Sequence, residues 1–96
     1  MKDLTHAKAL MVLMRQADAA KQGKLAVWTV YEKPADYPDG CIARRFEVGG
    51  GSPEPVATAD THTGTLDHLR QVFRRAGLFR LERQAAGQPH VVECWI

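Results

Sequence analysis

No stretch of this chain is long and apolar enough to read as a membrane span or an export signal. The longest apolar run, Ala9 to Met14, is broken by Arg15 after six residues, whereas a spanning helix needs about 20. Cysteine is scarce as well. Cys41 and Cys94 lie far apart with no Cys-X-X-Cys spacing and read as small core or near-core thiols of a cytoplasmic protein. A disulfide would require neighbouring strands to bring their Cβ atoms into register. Net charge is nearly absent. Thirteen lysines and arginines against eleven acids leave +2, too little by itself to imply nucleic acid or an anionic membrane. There is no internal repeat, no nucleophile motif and no aromatic-interleaved RNA platform. The sequence therefore indicates architecture and a style of recognition rather than a reaction.

At 96 residues with 45% hydrophobic content, the chain has material for one modest core and too little for two. A single domain over 1–96 is expected, with 1–23 as an added N-terminal helix and 24–96 as the core. The clearest local signal is Trp28 to Val48, two β-branched and aromatic runs joined by a segment holding Pro34, Pro38 and Gly40. This is a hairpin. Alternation puts Ala26, Trp28 and Val30 on one face of its first strand. In the second, Ile42, Arg44, Phe46 and Val48 oppose Ala43, Arg45 and Glu47. Arg44 interrupts an otherwise apolar face, and pairing with an acid such as Asp36 or Asp39 is the expected resolution.

Before the hairpin, Ala7, Leu10, Met11, Met14 and Ala17 recur at the spacing of one helical face. A first helix is predicted from Thr5 to about Gln22, capped by Asp3 or Thr5 and stopped by Gly23. Its methionine-bearing stripe is assigned to the sheet, with an adaptable partner surface as the alternative. After the hairpin, Gly49-Gly50-Gly51 resembles a phosphate-cradling loop only superficially, for no Gly-Lys-Ser/Thr follows. Pro55 to Asp60 reads as a third strand and Thr61 to Thr65 as the approach to a second helix. That helix has Thr65 as N-cap, Asp67 in its first turn, a buried face of Leu66, Leu69, Val72, Phe73 and Ala76, and Gly77 at its end. Arg70, Gln71, Arg74 and Arg75 fall on its outer face. Strands follow at Leu78 to Gln84 and His90 to Ile96, separated by a turn through Ala85 to Pro89. In the last, Val91, Glu93 and Trp95 share a face. The order is N-terminal helix, then β-β-β-α-β-β, an α+β fold with two helices and a mostly antiparallel sheet of four to five strands.

Three groupings invite a functional reading. Asp60, His62, Asp67 and His68 crowd one loop and helix start, the raw material of metal sites and acid–base chemistry. The six-residue step between the histidines matches no ligand spacing, so capping and turn formation is preferred, and no metal or cofactor is expected. Arg70, Arg74, Arg75, Arg80 and Arg83 place five guanidinium groups in fourteen residues with Glu82 the only acid among them, a surface for phosphate or carboxylate unless it is simply a solvated helix face. The charge is also unevenly spread. Residues 31–67 carry seven acids against three bases and residues 68–83 five bases against one acid, which polarises the surface unless the fold interleaves the two.

The residues Trp28-Thr-Val-Tyr31, Pro34, Asp36-Tyr37-Pro38, Ala43-Arg44-Arg45-Phe46, Leu66 to Arg70, Gly77-Leu78, Leu81, Arg83 and Val92 to Ile96 together resemble a family of short bacterial proteins of unknown function. The resemblance spans roughly 26–96 and leaves the first helix outside. It departs at Ala85-Ala86-Gly87-Gln88, where acidic residues precede the final strand in that family. The resemblance implies one compact domain in a bacterial, intracellular or mobile-element setting and brings no activity with it. The leading expectation is a non-enzymatic protein-binding module, an adaptor or inhibitor. One version is an anti-CRISPR-like antagonist offering Glu32, Asp36, Asp39 and Glu47 to a basic groove. Direct nucleic-acid binding through Arg70, Arg74 and Arg75, with Arg44 and Arg45, is the second expectation. A small ligand-binding protein or enzyme at the Asp60 and His62 loop is the third. Leu10, Met11 and Met14 are the candidate interface of the first helix, and the chain is expected to be a monomer or homodimer that does not enter a membrane.

Overall fold

The computed structural model describes residues 4–32, 40–81 and 90–96. Along the chain run α1 (Leu4–Lys21), β1 (Lys24–Glu32), β2 (Cys41–Gly49), β3 (Ser52–Gly64), α2 (Leu66–Arg75), β4 (Arg80–Leu81) and β5 (Val91–Trp95). The strands form one antiparallel sheet in the order β3-β2-β1-β5-β4. This is the α+β arrangement that the strand and helix patterns predict, with both helices on the same side of the sheet.

Trp28, Val30 and Ala43 on the strands meet Leu69, Val72 and Phe73 of α2 and Ala9 and Val12 of α1, each at most 2% exposed. The Phe73 ring bridges the two tryptophans, 5.7 Å from Trp28 and 5.6 Å from Trp95. Such tilted aromatic contacts add about 1 kcal/mol each beyond the area they bury. α2 is held as its sequence predicts. Thr65 Oγ1 accepts from the His68 N–H at 3.1 Å. At the other end Gly77 turns at φ +82°, which lets the Leu78 N–H reach the Phe73 carbonyl at 3.0 Å.

The triple glycine is a turn, not a phosphate cradle. Gly49 and Ser52 are paired across β2 and β3, and between them Gly50 and Gly51 have φ of +67° and +88°, the positive values that a tight two-residue hairpin demands. β3 begins at Ser52 and continues through Thr61 to Gly64, absorbing the segment expected as a helix approach. β4 is confined to Arg80–Leu81 among the described residues. The first-helix cap at Asp3, the segment holding Pro34 and Pro38, and the turn before the last strand lie outside the described residues.

The largest departure concerns α1. Its buried residues are Thr5, Ala9, Val12 and Ala19, while Ala7, Leu10, Met11, Met14 and Ala17 face away from the sheet. Both stripes have helical spacing, so periodicity alone does not choose between them. Gln16 does. Its amide accepts from the Trp28 indole N–H at 2.9 Å and donates to the Ala26 carbonyl at 3.1 Å. A fully buried indole requires an acceptor, and supplying one turns the small residues of α1 inward. Gln16→Ala should therefore destabilise the protein by about 1–3 kcal/mol through an unsatisfied buried donor. Met14→Ala should stay within about 0.5 kcal/mol of the parent. Urea unfolding followed by tryptophan fluorescence measures both, and the reverse ranking would contradict this orientation of α1.

Candidate functional site

The sheet divides the predicted site residues. On its helix-covered side, Arg45 lies between two acids, donating from Nε to Asp60 at 2.9 Å and from Nη1 to Glu47 at 2.9 Å. Arg15 of α1 approaches Asp60 at 3.4 Å, and Lys24 approaches Glu47 at 3.6 Å. The Arg45 hydrogen bond, joined by the charges of Lys24 and Arg45, outweighs burial and holds the Glu47 carboxyl below its ordinary range. On the opposite side, Arg44 donates to the Thr58 carbonyl at 2.8 Å. Glu32 is exposed at the end of β1, and Asp36 and Asp39 lie outside the described residues.

The arginine cluster separates in the same way. Arg70 was expected on the outer face of α2, but it grips Glu93, donating from Nη2 at 2.8 Å and from Nε at 3.1 and 3.2 Å. The second Glu93 oxygen accepts from the Trp95 indole at 2.8 Å, and Arg80 approaches at 3.9 Å. Glu93 is 3% exposed. Burial by itself would raise its pKa, but the hydrogen bonds from Arg70 and Trp95 and the charges of Arg70 and Arg80 bring it below the ordinary carboxylate value. Arg74 rests over the Trp95 ring at 6.0 Å, Arg75 is exposed, and Arg83 is outside the described residues. Sequence reasoning missed Glu93 as a member of any site. The signal was available in its period-two placement beside Trp95, since a carboxylate on the buried face of a strand needs a cation.

The histidine and aspartate grouping does not converge either. Asp60 is taken by Arg45 and Arg15, and Asp67 accepts from Gln71 at 3.1 Å. His62 lies against the Trp28 ring at 5.2 Å, and burial, with Lys8 nearby, pushes its pKa down. His68 Nε2 is 3.0 Å from Lys8 Nζ, which also donates to the Thr63 carbonyl. Among the described residues no three histidine, cysteine or acidic side chains are grouped to hold a metal ion. Burial and the charges of Glu32 and Glu93 push the Cys41 thiol up, the opposite of an activated nucleophile. Cys41 and Cys94 are both free thiols.

An apolar stripe also stays exposed. Leu10, Met11, Leu13 and Met14 of α1 are 45–63% exposed, so the candidate interface of the first helix is available to a partner. None of the described helices is long and apolar enough to cross a membrane. Comparison with protein-family models, with curated proteins and with solved structures finds no match to this chain.

Glu93→Gln should cost about 3 kcal/mol, because it leaves Arg70 facing a buried site without its counter-charge; chemical denaturation reads this directly. Acid should destabilise the fold in two stages. His62 has a depressed folded pKa, so its contribution is complete above about 6.5 and is lost as the pH falls toward the folded value. Glu93 and Glu47, also depressed, contribute above the ordinary carboxylate range and lose that contribution further down. His62→Phe, which keeps a ring against Trp28, should flatten the melting temperature between pH 7 and about 5. An unchanged slope in this variant would remove His62 as the cause.

Proposed function

We propose that this chain is a small non-enzymatic binding module, an adaptor or inhibitor, that captures a protein partner through the outer face of α1. The observation that carries this reading is the division of labour within that helix. Thr5, Ala9, Val12 and Ala19 bind the fold, while Leu10, Met11 and Met14, at the i, i+1 and i+4 positions of a second stripe, remain exposed. Exposed apolar side chains at this spacing fit the mode in which an amphipathic helix lies in a partner's groove, and methionine adapts to an irregular groove at little cost. The groups that would support an enzyme are engaged in holding the fold. Asp60 and Glu93 are ion-paired, and His62 is packed on Trp28.

Within this reading, a mobile-element-encoded antagonist of a nucleic-acid machine, of the anti-CRISPR kind, is the version that adds an acidic contribution. Glu32 is exposed, whereas Glu47 is held by Arg45 and Lys24. The cytoplasm of a bacterium is the compartment such a role requires. Direct nucleic-acid binding falls to Arg74 and Arg75, since Arg44, Arg45 and Arg70 already have partners inside the protein.

Affinity capture from a bacterial lysate, with nuclease and at two salt concentrations, tests the proposal. The full chain should retain a protein that survives nuclease. Met11→Lys with Met14→Lys should abolish retention without lowering the melting temperature, and Arg74→Ala with Arg75→Ala should leave retention intact. Retention that depends on the arginines, and is lost on nuclease treatment or at high salt, would replace this reading with nucleic-acid binding.

A further inference from the structure

An antiparallel sheet packed on one face usually alternates apolar residues inward with polar ones outward, yet β1 and β2 are apolar on both faces. Trp28, Val30 and Ala43 lie under the helices. On the other side Leu25 is opposed to Val48 and Val27 to Phe46, and Leu25 and Val48 are exposed. A depression of about 360 Å³ in this face is lined by Val27, Thr29, Phe46, Val48, Pro55 and Cys94, a volume within the range of small-molecule sites. One end of it is polar. The Thr29 hydroxyl lies 3.7 Å from the Cys94 thiol, and across the β1–β2 ladder Thr29 stands directly opposite Arg44. Opposed residues share a face with Cβ atoms about 5 Å apart, so Arg44 borders the depression at its Thr29 end. Its Nη1 donates to the Thr58 carbonyl at 2.8 Å, which uses one of the five N–H donors of a guanidinium. Among the described residues Arg44 belongs to no ion pair, unlike Arg15, Arg45, Arg70 and Arg80. Its charge acts on Tyr31, the next residue of β1 on this face: burial and Cys94 push the Tyr31 pKa up, and Arg44 works against them.

We propose that this depression binds a small amphipathic monocarboxylate, an acyl or arylalkyl acid whose carboxylate meets Arg44 and whose apolar body lies over Val27, Phe46, Val48 and Pro55. Charge complementarity selects this occupant. One cation at the edge of an apolar floor matches one anionic group on an apolar body, whereas a nucleic-acid strand carries a charge at every phosphate and draws its affinity from several cations. The head group fits the chemistry of the polar end. A planar guanidinium takes a carboxylate through parallel N–H bonds, and Thr29, which stands between Arg44 and Cys94 in the two ladders, has a hydroxyl able to donate to the same group. Length fits as well. From Arg44 to Val48 is four residues along β2, about 13 Å at about 3.3 Å each, the reach of a medium-length acyl chain. Covering the exposed valine and proline with such a chain removes apolar surface from water on both partners, which supplies the rest of the affinity. The site lies on the opposite side of the sheet from α1, so the ligand and a protein held by the outer stripe of that helix do not compete.

An NMR titration of the full chain with decanoate, kept below its micelle concentration, tests the proposal. The methyl signals of Val27 and Val48 should shift along a saturable curve, and bound decanoate should slow the reaction of Cys94 with a maleimide. Decanol and decylamine, which have the same chain and no anion, should bind more weakly by about tenfold or more, the loss expected when a charge-assisted hydrogen bond is missing. Arg44→Gln should weaken decanoate by a similar factor and leave decanol unchanged. Val48→Glu, at an exposed position that does not depend on the fold around Arg44, should weaken decanoate and strengthen decylamine. Absence of saturable shifts at Val27 and Val48, equal affinity for decanoate and decylamine, or shifts confined to Leu10 and Met14 of α1 would each overturn the proposal. Shifts of Val27 and Val48 on concentrating the protein alone would also overturn it, by giving the face to a second copy. Partner capture by α1 survives all of these outcomes, because it is read by retention from lysate and depends on the other side of the sheet.

Discussion

Two buried indole N–H groups set the arrangement of this chain. Trp28 and Trp95 supply the bulk of the core, yet neither can be buried unless its nitrogen donates to something. Gln16 answers Trp28, and Glu93 answers Trp95. Each answer has consequences further away. Using Gln16 fixes the rotation of α1, so a stripe of small side chains contacts the sheet and α2 while the larger apolar ones are left outside. Using Glu93 brings a carboxylate into the interior, where it requires a cation, and so Arg70 is turned toward it from α2 while Arg80 approaches from the surface. The hydrogen-bond needs of two side chains thus decide both which helix face is exposed and how many arginines are free.

The same logic separates what was legible in the sequence from what was not. The order of elements, the hairpin, the capped second helix and its buried face follow from local patterns of alternation, capping and punctuation, and these are properties of neighbouring residues. The facing of α1 and of β2 depends on partners distant in the chain. In β2, Ile42, Phe46 and Val48 are the larger apolar residues, but Cys41 and Ala43 are the ones under the helices. Only small side chains leave room for a helix to lie that close to the strand. Hydrophobicity ranks the two faces one way, and the space beneath the helices ranks them the other. Similarly, the arginine cluster is dense in sequence but divided in space, because Glu93, which engages two of its members, lies on the final strand.

Charge follows the interleaving that the fold imposes. The acid-rich middle of the chain meets basic residues from elsewhere: Asp60 faces Arg15 and Arg45, and Glu47 faces Lys24 and Arg45. The basic stretch gives Arg70 and Arg80 to Glu93. The pairs of Arg45 with Asp60 and Glu47 and of Arg70 with Glu93 are short and partly buried, so they resist salt better than exposed pairs do.

The division of α1 into two stripes also bears on how such a protein changes. Positions 5, 9, 12, 16 and 19 answer to the core, and positions 10, 11 and 14 are 48–63% exposed. Variation among helix-forming residues at the outer stripe therefore meets little folding constraint, and the helix offers a ready randomisation surface for directed evolution. A lineage under pressure to follow an altered partner can rewrite that stripe one residue at a time without passing through an unfolded ancestor.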